Sequence, residues 1–121
     1  SHSIVNVYTI YHNPHCSKSR AVSALLREND IEPNVVEYMK EPLVKLQLSG
    51  LLRKLCLNPR ELLRTSERDY KTLGLSNENL NDDYLLDTMI RHPKLIERPI
   101  VVRGEKAVTG RPAEEIFKLV K

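Results

Sequence analysis

The chain has 121 residues, 40% hydrophobic and 29% charged, enough for one domain with its own core and no disulfide staples. Its net charge of +3 is too mild and dispersed to argue for nucleic-acid binding, and five Tyr, one Phe and no Trp offer few stacking platforms. No apolar run approaches the ~18–20 residues of a membrane helix, and no segment has a signal-peptide layout, so a cytoplasmic protein is expected.

Residues 1–3 read as a cloning remnant. Residues 5–11 (Val-Asn-Val-Tyr-Thr-Ile-Tyr) are β-branched and aromatic and predict a strand. It ends at His12-Asn13-Pro14-His15, where Asn-Pro is turn chemistry. A helix is predicted over 17–28, with Ala21, Val22, Leu25 and Leu26 on one face. Residues 35–38 form a short second strand. This β-α-β order implies parallel pairing through a right-handed crossover.

The middle is helical. Leu48, Leu51, Leu52 and Leu55 follow i, i+3, i+4, i+7. Val44 stands where a helix would prefer a Ser or Thr cap. Asn58-Pro59 gives a cap followed by proline at the first helical position, opening a short helix at 60–64. Ser66 caps a further helix running to Leu73 and closed by Gly74. Asn81-Asp82-Asp83 is a strong helix start: a cap, then carboxylates at the positive dipole end. Leu85, Leu86, Met89 and Ile90 are its apolar face, and Pro93 stops it.

The tail returns to strands at 99–103 and 107–109 around a turn at 104–106, a hairpin signal. A last helix starts at Gly110-Arg111-Pro112, with Ile116, Leu119 and Val120 inward. The order β-α-β, helical block, β-β-α predicts an α/β fold: a four-stranded sheet, with a helical insertion at about 42–92 in a single domain over 4–121.

Two cysteines, Cys16 and Cys56, are too few for a disulfide framework. Cys16 lies in the turn after the first strand and immediately before a helix. A thiolate there faces unpaired N–H groups and the positive dipole end, which lower a thiol pKa. His12, His15, Lys18 and Arg20 add positive charge and donors, and Ser17 and Ser19 add hydroxyls. The bland alternative, a core cysteine, rarely sits among such neighbours. Ser19 makes the spacing Cys-x-x-Ser, so no local disulfide forms and a mixed disulfide with an external thiol is the natural alternative.

Other chemistries fit worse. A phosphatase-type loop needs about five residues between cysteine and arginine, whereas Arg20 follows too soon. His12, His15 and Cys16 are three close ligands with nothing to complete a zinc tetrahedron, so no metal is expected. Cys56, beside Leu57 at the end of the leucine stripe, reads as a small apolar filler. Arg64, Arg98 and Arg111 stand at element boundaries. Singly each reads as a surface arginine; together they offer forked donors to a tetrahedral oxyanion.

The run Tyr11-His12-Asn13-Pro14-x-Cys16-x-x-Ser19-Arg20 resembles the active-site segment of the glutaredoxin-dependent arsenate reductase family. The likeness continues through Leu62-Leu63-Arg64, Asp82-Asp83, His92-Pro93, Arg98-Pro99-Ile100-Val101-Val102 and Arg111-Pro112 with Glu114. It covers nearly the whole chain. With Ser17-Lys18 after Cys16, and ending just after the last helix, the chain is closer to the shorter, chromosomal branch. The resemblance implies a thioredoxin-like four-stranded mixed sheet with a helical insertion, and a cis Arg98-Pro99 bond.

It also implies roles. Cys16 attacks arsenate as a thiolate, His12 helps lower its pKa, and Ser19 hydrogen-bonds it. Arg64, Arg98 and Arg111 bind the oxyanion, and Asn13 with the amides after Cys16 completes an anion nest. Glutathione is the co-substrate and glutaredoxin the resolving partner. No cofactor need be bound, and a monomer is expected. Two competing readings remain: an Spx-like regulator that binds RNA polymerase, against which Ser19 in place of a second cysteine argues, and a thiol-transfer protein acting on glutathionylated partners. The latter needs Cys16 and tolerates loss of Arg64 or Arg98.

Overall fold

The computed structural model describes residues 8–41, 43–110 and 113–120. The chain divides into two compact units: Ser1–Glu41 with Arg98–Lys121, and Pro42–Glu97.

The first unit is built on a sheet. Strand β1 (Tyr8–Tyr11) is followed by helix α1 (Ser17–Glu28) and strand β2 (Asn34–Val36). The chain returns to this unit as β3 (Ile100–Arg103) and β4 (Lys106–Thr109), then a 3₁₀ turn, Ala113–Ile116, and one last helical turn, Phe117–Val120. The order across the sheet is β2-β1-β3-β4. β1 pairs parallel with β2 and antiparallel with β3, and β4 closes the hairpin with β3. This is the α/β, thioredoxin-like mixed sheet expected from the sequence.

Period-two alternation turns Tyr8 and Ile10 to one face of β1. Val22 and Leu26, four residues apart on α1, meet them together with Val101, Ile116 and Leu119. β2 and the tail depart most from the sequence reading. β2 stops at Val36 because the Glu37 carbonyl accepts the N–H groups of Lys40 and Glu41, which turns the chain. The tail reaches α-helical geometry only at Phe117, after the 3₁₀ turn.

The second unit is helical. Helix α2 (Lys45–Leu55) buries Leu48, Leu51 and Leu52. Val44 has no side-chain acceptor, so only the reciprocal half of a capping box forms, from Val44 N–H to Gln47 Oε1 at 2.9 Å. Helix α3 (Pro59–Leu62) has both halves: Glu61 N–H donates to Asn58 Oδ1 and Asn58 N–H to Glu61 Oε1, each at 3.0 Å. Helix α4 (Arg68–Thr72) starts after Glu67 rather than at the expected Ser66 cap, and Glu67 makes no side-chain cap bond. Gly74, with φ of 66°, follows it.

Helix α5 (Asp82–Arg91) is capped by Asn81, whose Oδ1 accepts Tyr84 N–H at 2.8 Å. A 3₁₀ turn, Pro93–Leu95, follows. The unit extends to Glu97 because this segment is tied back: Leu63 bridges Ile96, Arg64 N–H reaches Leu95 O and Glu97 N–H reaches Leu62 O. Among the described residues no helix is long and apolar enough to cross a membrane.

Candidate active site

The loop from β1 to α1 is closed by its own backbone and side chains. His12 N–H donates to Val36 O at 2.9 Å and continues the parallel ladder. Cys16 N–H donates to Asn13 O, and His15 N–H to Asn13 Oδ1, both at 3.0 Å. Arg20 donates from its guanidinium to Pro14 O at 2.8 Å. The Asn13 carbonyl and Oδ1 thus close the turn, an Asx-type closure.

Cys16 occupies the N-cap position of α1 with extended backbone (φ −102°, ψ 123°), and its carbonyl accepts the first helical bond from Arg20. No side chain caps this helix, and no acidic residue stands in its first turn. The first-turn N–H groups of Lys18 and Ser19, which have no partner within the helix, are therefore left to the sulfur. Burial pushes the partly exposed Cys16 thiol up. The backbone N–H groups of Ser19 and Lys18 and the charge and hydrogen bond of the Arg98 guanidinium more than offset this, so the thiol lies below its ordinary value.

His12 and Ser19 form a second layer. Ser19 is fully buried. Its Oγ lies 2.6 Å from His12 Nδ1 and accepts Asn13 N–H at 3.0 Å. Burial lowers the His12 pKa, Arg27 and Arg20 add to the effect, and Glu37 opposes it. Burial thus favours the neutral imidazole relative to a free histidine. This differs from the expected roles. The Ser19 hydroxyl is engaged by His12 and Asn13, and it is the Ser19 backbone N–H that serves the sulfur. His12 bears on the Cys16 loop through its contact with Ser19.

The three arginines part company. Arg98, before the cis bond to Pro99, acts on Cys16. Arg64 belongs to the helical unit, where its guanidinium meets Glu67 at 2.5 Å and Glu97 at 3.6 Å. Arg111 lies outside the described residues. Cys56 corrects the reading of it as an apolar filler: it is exposed. Position 56 would continue the leucine stripe only if α2 went on, but the helix stops at Leu55 and Cys56 turns left-handed (φ 59°). Among the described residues no group of three or more His, Cys, Asp or Glu is placed to hold a metal ion.

One residue at this site was not singled out by sequence reasoning. Gly110 is buried and donates its N–H to Pro99 O at 2.8 Å. The only signal was a lone glycine directly after a strand.

Fold and site together define a thioredoxin-like protein with a single activated cysteine at a helix start. The chain belongs to the ArsC family, whose model matches residues 11–119. It is 47% identical over 112 residues to the Escherichia coli K12 protein described as uncharacterized protein YfgD, covering 92% of this chain and 94% of that one. It is 46% identical over 108 residues to an arsenate reductase of Neisseria meningitidis, covering 88% and 92%. Among solved structures, an arsenate reductase from Vibrio cholerae superposes with a TM-score of 0.90 at 44% identity, over 93% of this chain and 96% of that one.

Proposed function

We propose that this protein is an arsenate reductase that uses Cys16 as its nucleophile, glutathione as co-substrate and glutaredoxin as the resolving thiol. The observation that carries the reading is the placement of Cys16 at the start of α1, with the N–H groups of Lys18 and Ser19 and the Arg98 guanidinium at its sulfur. The same donors suit a tetrahedral oxyanion, because backbone N–H groups and a forked guanidinium both favour negative oxygen. Membership of the ArsC family supports it, as do relatives named arsenate reductase at similar length.

In the first step the Cys16 sulfur forms a bond to arsenic, and one arsenate oxygen leaves as water. Glutathione thiolate then bonds to the Cys16 sulfur. The sulfur–arsenic electron pair stays on arsenic, which passes from As(V) to As(III) and leaves as arsenite. A glutaredoxin thiol takes the glutathione sulfur and returns Cys16 as thiolate. Two thiols are oxidised to one disulfide, which balances the electrons given to arsenic. Arg98 stabilises first the thiolate and then the oxyanion. Asn13 shapes the loop that presents the amides.

The test is arsenate-dependent NADPH oxidation coupled through glutathione reductase, with glutathione and glutaredoxin present. Turnover in the wild type that disappears in Cys16→Ser and drops in Arg98→Ala is expected. Absence of arsenate turnover in a folded wild type with a reactive Cys16 would favour thiol transfer to protein partners instead.

A further inference from the structure

Gly110 sits where three parts of the sheet unit converge. It follows β4, donates to Pro99 O, and packs beside Val22 on the helix that Cys16 opens. A methyl group placed on Gly110 would lie 2.5 Å from Val22 Cγ2, 2.8 Å from Pro99 Cγ and 3.4 Å from Pro99 Cδ. Neither neighbour gives way easily. Val22 is fully buried and β-branched on a helix, which leaves one favoured rotamer, and the proline ring is locked to its backbone. The φ of Gly110 is not in the left-handed region, so what requires glycine here is close approach rather than backbone conformation.

The two neighbours touched are informative. Val22 belongs to the helix whose first turn holds the Cys16 sulfur, and Pro99 directly follows Arg98. We infer that Gly110 is a positioning residue: its missing side chain lets α1 and the Arg98–Pro99 segment close up, and so sets the Arg98 guanidinium on the Cys16 sulfur. A side chain at 110 moves Pro99 away from α1, and Arg98 moves with it. The inference rests on the reading of Cys16 and Arg98 as a working pair and adds the residue that fixes their spacing.

The experiment is the pH dependence of Cys16 alkylation by iodoacetamide, in a Cys56→Ser background so that one thiol reports. Arg98→Ala alone tests the pairing, and its midpoint is expected to rise. Gly110→Ala is expected to raise the midpoint as well, with the rate at pH 7 falling about threefold or more. In an Arg98→Ala background the glycine substitution is expected to add nothing further, because it acts through Arg98. Gly110→Ala/Val22→Ala removes the closest clash and is expected to recover part of the shift; it also serves as the folded background if Gly110→Ala alone unfolds.

A purely structural glycine would lower the melting temperature and leave the midpoint in place. An unmoved midpoint in folded Gly110→Ala, or a shift that persists without Arg98, overturns the inference while leaving the pairing intact. An unmoved midpoint in Arg98→Ala overturns both.

Discussion

Two helix starts in this molecule are built by opposite rules. At α5 the Asn81 side chain caps the backbone, and Asp82 and Asp83 face the positive dipole end. At α1 the cap position is Cys16, where a sulfur in place of an oxygen receives the first-turn N–H groups of Lys18 and Ser19, and the first turn has no acid. Lys18 and Arg20 stand exposed near that end, where cations are unfavourable. The first arrangement stabilises its helix by about 1 kcal/mol for the cap alone. The second forgoes that stabilisation and leaves its N–H groups for a sulfur anion and, in the proposed reaction, for oxyanion oxygens. The helix start that departs from local stability is the one to which the proposed chemistry is assigned.

The contrast breaks hardest at Cys16. Cys16→Ser is expected to reduce arsenate turnover by about a thousandfold or more, measured in the coupled assay. The same substitution should change the pH dependence of stability. The folded thiol lies below its ordinary value, so the thiolate contributes stability that is fully present above the ordinary thiol pKa. That contribution fades as pH falls through the lowered value. The denaturation midpoint is expected to rise with pH across this window in the wild type relative to Cys16→Ser.

Arg98→Ala comes next, with turnover falling by about tenfold to a hundredfold and the Cys16 midpoint rising. A smaller effect is expected from making α1 start like α5. Lys18→Glu should stabilise the helix by about 0.3–1 kcal/mol through the dipole while raising the Cys16 midpoint. Opposite signs in thermal unfolding and alkylation would show the trade directly; a rise in stability with no change in the midpoint would break the comparison. Asn81→Ala is the counterpart, expected to cost about 1 kcal/mol in chemical denaturation without moving the Cys16 midpoint. Cys56→Ser is expected to have the least effect on turnover, since that thiol is exposed at the end of α2.

The long elements were legible because local signals agreed. α1 runs Ser17–Glu28 as read, opening after the Asn-Pro turn, with Val22 and Leu26 inward. The Asn58 and Asn81 caps were read from residue type and position alone. Short elements were not, because contacts distant in sequence decide them. β2 ends where the Glu37 carbonyl takes two turn bonds, and α4 starts after Glu67 although Ser66 is the better intrinsic cap.

The site was legible in its residue types more than in its wiring. Position marked Cys16, but no spacing joins it to Arg98, which the return of the chain as β3 brings into place. Ser19 was read for its hydroxyl, whereas its backbone N–H meets the sulfur and the hydroxyl is taken by His12 and Asn13. Gly110 carries no side chain to read, and its importance appears only in what a side chain would strike.

The most direct test of the activated cysteine is the alkylation rate of Cys16 against pH in the Cys56→Ser protein. A midpoint below about 8.5, the value of an unperturbed thiol, is the expected result. A midpoint at or above that value would contradict the role given to the α1 start and to Arg98.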